Sequence, residues 1–216
     1  QLIIKEHYRG SNDRLWNGFR IFGGDGTTLQ IPKNSATRGF FGDYFKHTVL
    51  ARAFQYTELT SNIVVAPSIQ PYKVSENHMA KQLLPKLVEE MHCYGQHKQL
   101  YVYDRGFISH KFVLKHIDLG VDYIFRLPRS FNPEITEYLE DKEDIDMPFE
   151  FFTQYGDYKA RIVIGNVAKG KMIAVLTSLL DTTQFSAEEI LRAYGLRWGC
   201  EEGYKLQKHA LELENF

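Results

Sequence analysis

The chain has 216 residues, 44% of them apolar, with fifteen Phe and thirteen Tyr, enough for one globular domain with a real core. A net charge of −1 does not advertise nucleic acid, no apolar run approaches the roughly 18 residues of a membrane span, and "QLIIKEHYRGSNDRLWNG" lacks the apolar stretch and cleavage site of a signal peptide. Cys93 and Cys200, far apart and without partners at metal spacing, argue against a disulfide framework or zinc knuckle and for a reducing, cytoplasmic compartment. Charge is unevenly spread. Glu134 to Glu150 holds eight acids and one lysine, a net of −7, which leaves +6 on the rest of the chain. That acidic run reads as a solvated, mobile surface segment. The start at Gln1 and the stop at "LELENF" read as a cut from a longer chain.

In chain order, "GFRIFGGDG" reads as a strand ending in a glycine-rich turn and "TTLQIP" as a second strand, which places Asp25-Gly26 at a hairpin turn. "NSATRGFFGDYFK" is loop-like. "HTVLARAFQYTEL" and "NIVVAPSIQP" predict two further strands. A helix follows in "SENHMAKQLLPKLVEEMHCYG", with Ser75 as N-cap and an end near Gly95. "QLYVYDRG" is a buried strand stopping at Asp104, "SHKFVLKHIDLG" a helix between Ser109 and Gly120, and "VDYIFRLP" another strand. Strand–helix–strand–helix–strand order makes the later strands parallel. Residues 128–180 then change character, becoming first acidic and then strand-rich, with turn signals at Gly165-Asn166 and Lys169-Gly170. "SAEEILRAYGLRWGCEEGYKLQKHALEL" closes the domain as two helices or one bent at Gly195. The expected architecture is α/β, with one mixed central sheet flanked by helices.

On a single helix, Tyr194, Arg197, Glu201, Lys205 and Lys208 fall within a stripe about 80° wide. Leu196, Gly199, Gly203 and Leu206 lie opposite, where a helix packs on a core. One reading is a solvated face with i,i+4 ion pairs, Arg197–Glu201 and Glu201–Lys205. Tyr194 and Trp198 weigh against it, because a plain solvated face needs no aromatics. The other reading starts from acids at strand ends, where α/β chemistry gathers. Asp25 and Asp104 both qualify. Asp122 begins its strand instead, and Asp43 and Glu76 stay open as decoys. Two adjoining carboxylates repel, a divalent cation removes the conflict, and Glu201 from an approaching helix completes an all-oxygen set suited to Mg²⁺ or Mn²⁺. The neighbouring Arg197, Lys205 and Lys208 suit phosphate, so the set points to metal-assisted phosphoryl transfer. Taken singly, Asp25 also fits an ordinary D-G turn, and Asp104 a pair with Arg105 or a turn cap.

With these residues in place, the chain resembles the DDE transposases of bacterial insertion sequences, in the group named after insertion sequence four. The signature Y-x-x-R-x-x-x-E-x-x-x-x-x-x-K is matched by Tyr194, Arg197, Glu201 and Lys208 at unbroken spacing. "DGTTL" around Asp25 and "YVYDRGFISHKFVLKHIDLGVDYIFRLP" around Asp104 resemble the contexts of the family's first two acids, and the likeness covers roughly residues 17–208. It implies a ribonuclease-H-like fold built from residues 1–127 and 181–216, with 128–180 as a β-rich insertion between the second and third acids. It implies Asp25, Asp104 and Glu201 as catalytic metal ligands for Mg²⁺ or Mn²⁺, two ions with DNA bound. It also implies Tyr194, Arg197 and Lys208 on DNA phosphates; Lys205 joins them from its place on the stripe. Partners would be transposon ends and target DNA, with a homodimer in the active complex and no membrane, in the bacterial cytoplasm beside the nucleoid. One departure is that the only tryptophans, Trp16 and Trp198, lie outside the insertion, where some members stack a flipped base; Phe131, Phe149, Phe151 or Phe152 offer other aromatic faces. No helix-turn-helix or basic arm is visible, as expected of a catalytic core alone. A non-catalytic DNA-binding relative on the same fold is the second reading, and a two-carboxylate glycosidase a remote third.

Overall fold

The computed structural model describes residues 2–10, 14–42, 48–141, 143–167 and 171–209. The elements are α1 (Leu2–Gly10), β1 (Phe19–Ile31), α2 (Ser35–Phe41), β2 (Val49–Glu58), β3 (Ile63–Pro71), α3 (Glu76–His92), β4 (Lys98–Tyr103), α4 (His110–Asp118) and β5 (Asp122–Arg126). A 3-10 turn (Arg129–Phe131) leads to α5 (Pro133–Asp141), β6 (Ile145–Phe151), β7 (Tyr158–Val167), β8 (Lys171–Thr177), α6 (Ala187–Gly195) and α7 (Trp198–His209).

The strands form one mixed sheet in the order β3-β2-β1-β4-β5-β8-β7-β6. β1, β4 and β5 are parallel neighbours, and every other pairing is antiparallel. The α4 crossover supplies the connection that parallel β4 and β5 require. Side chains alternate between two cores. Phe22, Tyr56, Tyr101 and Tyr103 face α1, α3, α4 and α5, which add Ile4, Leu84, Phe112 and Ile135. Phe19, Ile21, Leu100, Val102 and Ile124 face α6 and α7, which add Ile190, Tyr194 and Cys200. The aromatic surplus of the sequence is spent in the first core, where Tyr103 stacks on Phe125 and the buried Tyr56 and Tyr103 hydroxyls lie 2.9 Å apart.

Several local expectations need correction. Asp25-Gly26 is not a hairpin turn: β1 runs unbroken from Phe19 to Ile31 because β2 pairs with it from Phe22↔Glu58 to Ile31↔Val49. The glycines there answer close packing. A Cβ on Gly23 would stand 2.5 Å from Cys200 Sγ, and one on Gly24 would stand 2.8 Å from the Tyr103 ring. The loop expected at 34–46 contains α2, started by an Asn34–Thr37 capping box; the decoy Asp43 lies outside the described residues. Gly165-Asn166 is strand, paired to Ile173 and Met172 of β8, and Lys169-Gly170 lies outside the described residues. The acidic run is not all solvated surface. It forms α5, which buries Ile135 and Leu139, and then β6. Strands from 145–177 lengthen the central sheet through the β5–β8 pairing at Ile124↔Thr177. The closing segment is two helices.

Candidate active site

Asp25 and Asp104 stand side by side. The parallel β1–β4 ladder ends at Gly24↔Tyr103, so the next residue on each strand is an aspartate on the face covered by α6 and α7. Strand spacing puts such neighbours about 5 Å apart at the backbone. The β4–β5 ladder ends at Tyr103↔Phe125, which sets Arg126 beside Asp104 in the same way. Arg126 Nη1 donates to Asp104 Oδ1 at 3.2 Å, so Asp104 pairs with Arg126 and not, as one reading had it, with the Arg105 side chain.

The stripe is placed differently from its helical-wheel position. The chain tightens between α6 and α7, with Gly199 N–H bonding Leu196 C=O and Cys200 N–H bonding Arg197 C=O, so the five residues do not share one straight helix. Leu196 and Leu206, expected at the core, are 39% and 63% exposed, while Tyr194 and Arg197 are 3% and 4% exposed. The inward face is Tyr194, Arg197, Cys200 and Tyr204. The reason is the β1 surface below: Gly23 makes room for Cys200, and the Tyr204 hydroxyl donates to the Asp25 carbonyl at 3.0 Å. Tyr194 Oη donates to Asp104 Oδ1 at 3.1 Å. Arg197 Nη2 donates to Glu201 Oε1 at 2.7 Å, and its Nη1 lies 3.9 Å from Asp25 Oδ1. Lys205 pairs with Glu202 at 2.6 Å, not with Glu201. Lys208 Nζ donates to the Thr28 carbonyl at 2.8 Å, pinning the end of α7 to β1. Trp198, at the start of α7, is 55% exposed. The decoy Glu76 lies against Gly26 on the opposite face and bonds Arg52 at 2.9 Å, and Asp122 accepts from Ser178 at the far end of β5. Residues that sequence reasoning did not single out here are Arg126 and Tyr204. A charged residue closing the apolar run "DYIFR", in parallel with Asp104 closing "YVYD", was the signal for Arg126; Tyr204 had none.

The two aspartates differ electrostatically. Burial pushes Asp25 up to about 6; Arg197 and the Gly26 N–H pull it down, and Glu201 and Glu76 add to the rise. Burial also acts on Asp104, but the Arg105 N–H, the Arg197 and Arg126 guanidinium groups and the Tyr194 hydroxyl more than offset it and hold its carboxyl below the usual range. The donor set of Asp25, Asp104 and Glu201 is all carboxylate oxygen, the chemistry of a hard divalent cation, and Asp25 carries a buried charge such a cation would relieve. As the side chains stand, no three His, Cys, Asp or Glu among the described residues are gathered tightly enough to hold a metal ion, and the guanidinium of Arg197 lies between Asp25 and Glu201.

Residues 18–216 match the family described as "Transposase DDE domain", and the chain belongs to it. Its fold is ribonuclease-H-like. The structure is similar to the piggyBac transposase in a synaptic complex with hairpin DNA (TM-score 0.50, 12% identity), covering 90% of this chain and 41% of that one. The chain therefore spans under half the length of that transposase. Weaker likenesses are to the catalytic domain of human endonuclease V (TM-score 0.39, 16% identity, covering 98% and 94% of the two chains) and to Ciona intestinalis endonuclease V in complex with DNA (0.36, 11%, 86% and 86%). A search of curated proteins gave no match. No helix among the described residues is long and apolar enough to cross a membrane.

Proposed function

We propose that this chain cuts DNA at the ends of a mobile segment and joins those ends to new DNA, with Asp25, Asp104 and Glu201 holding divalent magnesium or manganese. The observation that carries the reading is the placement of Asp25, inside β1, beside Asp104, just past the end of β4, under the α6–α7 turn whose Arg197 links Asp25 to Glu201. When bound, the metal ions supply positive charge to the attacking and leaving oxygens of an in-line displacement at phosphorus. In that displacement a water or 3′-hydroxyl oxygen forms the new P–O bond and gives its proton to solvent, while the bond to the leaving 3′-oxygen breaks and that oxygen takes a proton from solvent. The chain's own part is to hold its acids in place. Arg126 and Tyr194 fix Asp104 from two sides, Tyr204 fixes the Asp25 backbone, and Arg197 restrains Glu201. Tyr194 and Arg197 thus act as positioning residues, a more inward role than direct contact with DNA phosphate. Lys205, exposed on α7, is the signature-helix cation best placed for the backbone, with Lys208 beside it. Two ends need two sites, so the active complex would hold two copies of the chain.

The test is Glu201→Gln, which keeps volume and removes a charge. Strand cleavage and strand transfer in Mg²⁺ or Mn²⁺ should both vanish, DNA affinity should persist, and Mn²⁺ binding measured by calorimetry should weaken. Cleavage at an unchanged rate would remove Glu201 from the site. Cleavage lacking in both chains, with equal DNA binding, would support the non-catalytic relative.

A further inference from the structure

On the other side of Arg126 from α7, a cavity of about 430 Å³ opens at the sheet end. Arg105, Arg126 and Arg129 line it over a floor that includes the buried Leu127, Leu139 and Ile173. These arginines are not alike. Arg126 is engaged by Asp104. Arg105 and Arg129 are exposed, and no side-chain hydrogen bond or ion pair joins either to another described residue. Elsewhere Arg52, Arg161, Arg192 and Arg197 each meet a carboxylate. Two uncompensated guanidinium groups on one concavity repel each other, and the acidic α5 beside it turns only Leu139 into the lining. Planar guanidinium forks match phosphate oxygens in geometry and in charge.

We propose that this cavity takes one phosphodiester phosphate of a DNA strand, bridged by Arg105 and Arg129, next to the phosphate that is cut. The proposal rests on the function above, since it assumes that DNA lies across the sheet end at Asp104. Arg126 joins the two places: one face holds Asp104 and the other lines the cavity, so a strand leaving the carboxylates on this side meets Arg105 and Arg129 next. This gives the DNA a second hold on the side of Asp104 away from the signature helix.

The test combines a double variant with chemically neutralised DNA. Arg105→Ala/Arg129→Ala removes two exposed side chains, so folding should be intact, with an unchanged melting temperature as the control. With a fluorescein-labelled duplex of mixed sequence, affinity at low salt should fall about tenfold or more. The slope of log K against log salt should shrink by about 0.9, one phosphate contact. A set of duplexes each carrying a single methylphosphonate should show a position that weakens binding to the native chain and has no effect on the variant. Equal slopes, or the same sensitive positions in both proteins, would overturn the proposal. An inorganic phosphate arm, matched to chloride in ionic strength, separates the sources. If phosphate displaces duplex from the native chain better than chloride does, but not from the variant, the cavity is a free-anion site and the DNA assignment falls. Glu201→Gln distinguishes the two readings: loss of cleavage there, with methylphosphonate positions unaltered in Arg105→Ala/Arg129→Ala, sinks the cavity alone.

Discussion

Replacing Asp25 by Asn should make the metal-free protein more stable. An acid whose folded pKa lies above its unfolded value binds its proton more tightly when folded. Its charge therefore costs nothing below the unfolded value of 3.8, costs progressively more up to about 6, and a constant amount above that. The full difference corresponds to about 3 kcal/mol at neutral pH. The Asn amide must itself be buried, which trims the expected gain to about 2–3 kcal/mol. For a domain of this size that is a rise in melting temperature of about 4–12 °C. Urea unfolding of both chains in EDTA at pH 7.5 and pH 5 measures it, and at pH 5 the gain should fall to about half because the native Asp25 is then mostly protonated. Asp104→Asn is the opposing control: its carboxyl is held low, so losing the charge should destabilise above the unfolded pKa, and that cost should fade as pH drops through the folded one. Mn²⁺ at about a thousand times its Kd should reverse the order of native and Asp25→Asn chains, since it adds about 4.1 kcal/mol to the chain that binds it. No gain at pH 7.5, or a gain equal at both pH values, would refute the idea that Asp25 carries an uncompensated charge.

Arg197→Ala should cost about 3–5 kcal/mol in the same denaturation assay, because it strips a buried cation from Asp25 and Glu201, and Asp25 should then titrate above 6 by NMR; an effect under 1 kcal/mol would make Arg197 a surface ion pair. Gly23→Ala should cost about 1–3 kcal/mol by pushing Cys200 and α7 off β1, and Cys200→Ala in the same chain should restore part of it; strictly additive losses would show that the contact is not the cause.

The fold was legible where one pattern dominated. The runs ending in Asp104 and Arg126 had to be buried parallel strands because a helix lay between them, and Ser75 caps α3 through the His78 N–H as its type and place foretold. Legibility failed where tertiary packing reassigned a local signal. Asp-Gly is a strong hairpin cue, yet the pairing of β2 beyond Gly26 overrides it, and the glycines are needed for Cys200, Tyr103 and Glu76 to approach. On the signature segment, counting polar against apolar residues chose the wrong face, because Leu196 and Leu206 are the exposed ones and an arginine is buried. A sequence shows that Arg197 and Glu201 are four apart. It does not show that an acid on β1 waits beneath them.

That acid explains why the turn between α6 and α7 points its cation inward. Asp25, Asp104 and Glu201 bring three negative charges to one sheet end, and Arg126 and Arg197 return two. The shortfall is not shared evenly. Asp104 has Arg126, Tyr194 and the Arg105 N–H in its immediate shell, whereas the nearest guanidinium nitrogen to Asp25 is 3.9 Å away and Glu201 and Glu76 press on it. Two aspartates one strand apart therefore differ in kind: one is already compensated, and the other is the point where added positive charge gains most. Arg197 can stabilise Asp25 or hold Glu201 closely, and its 2.7 Å bond to Glu201 shows which it does better. A rigid β1, locked to β2 past Gly26 and to α7 through Tyr204, keeps Asp25 from swinging out to water for relief. The fold thus accepts a destabilised carboxylate at the position where the proposed chemistry would place a cation, as functional sites do when stability is given up for preorganisation.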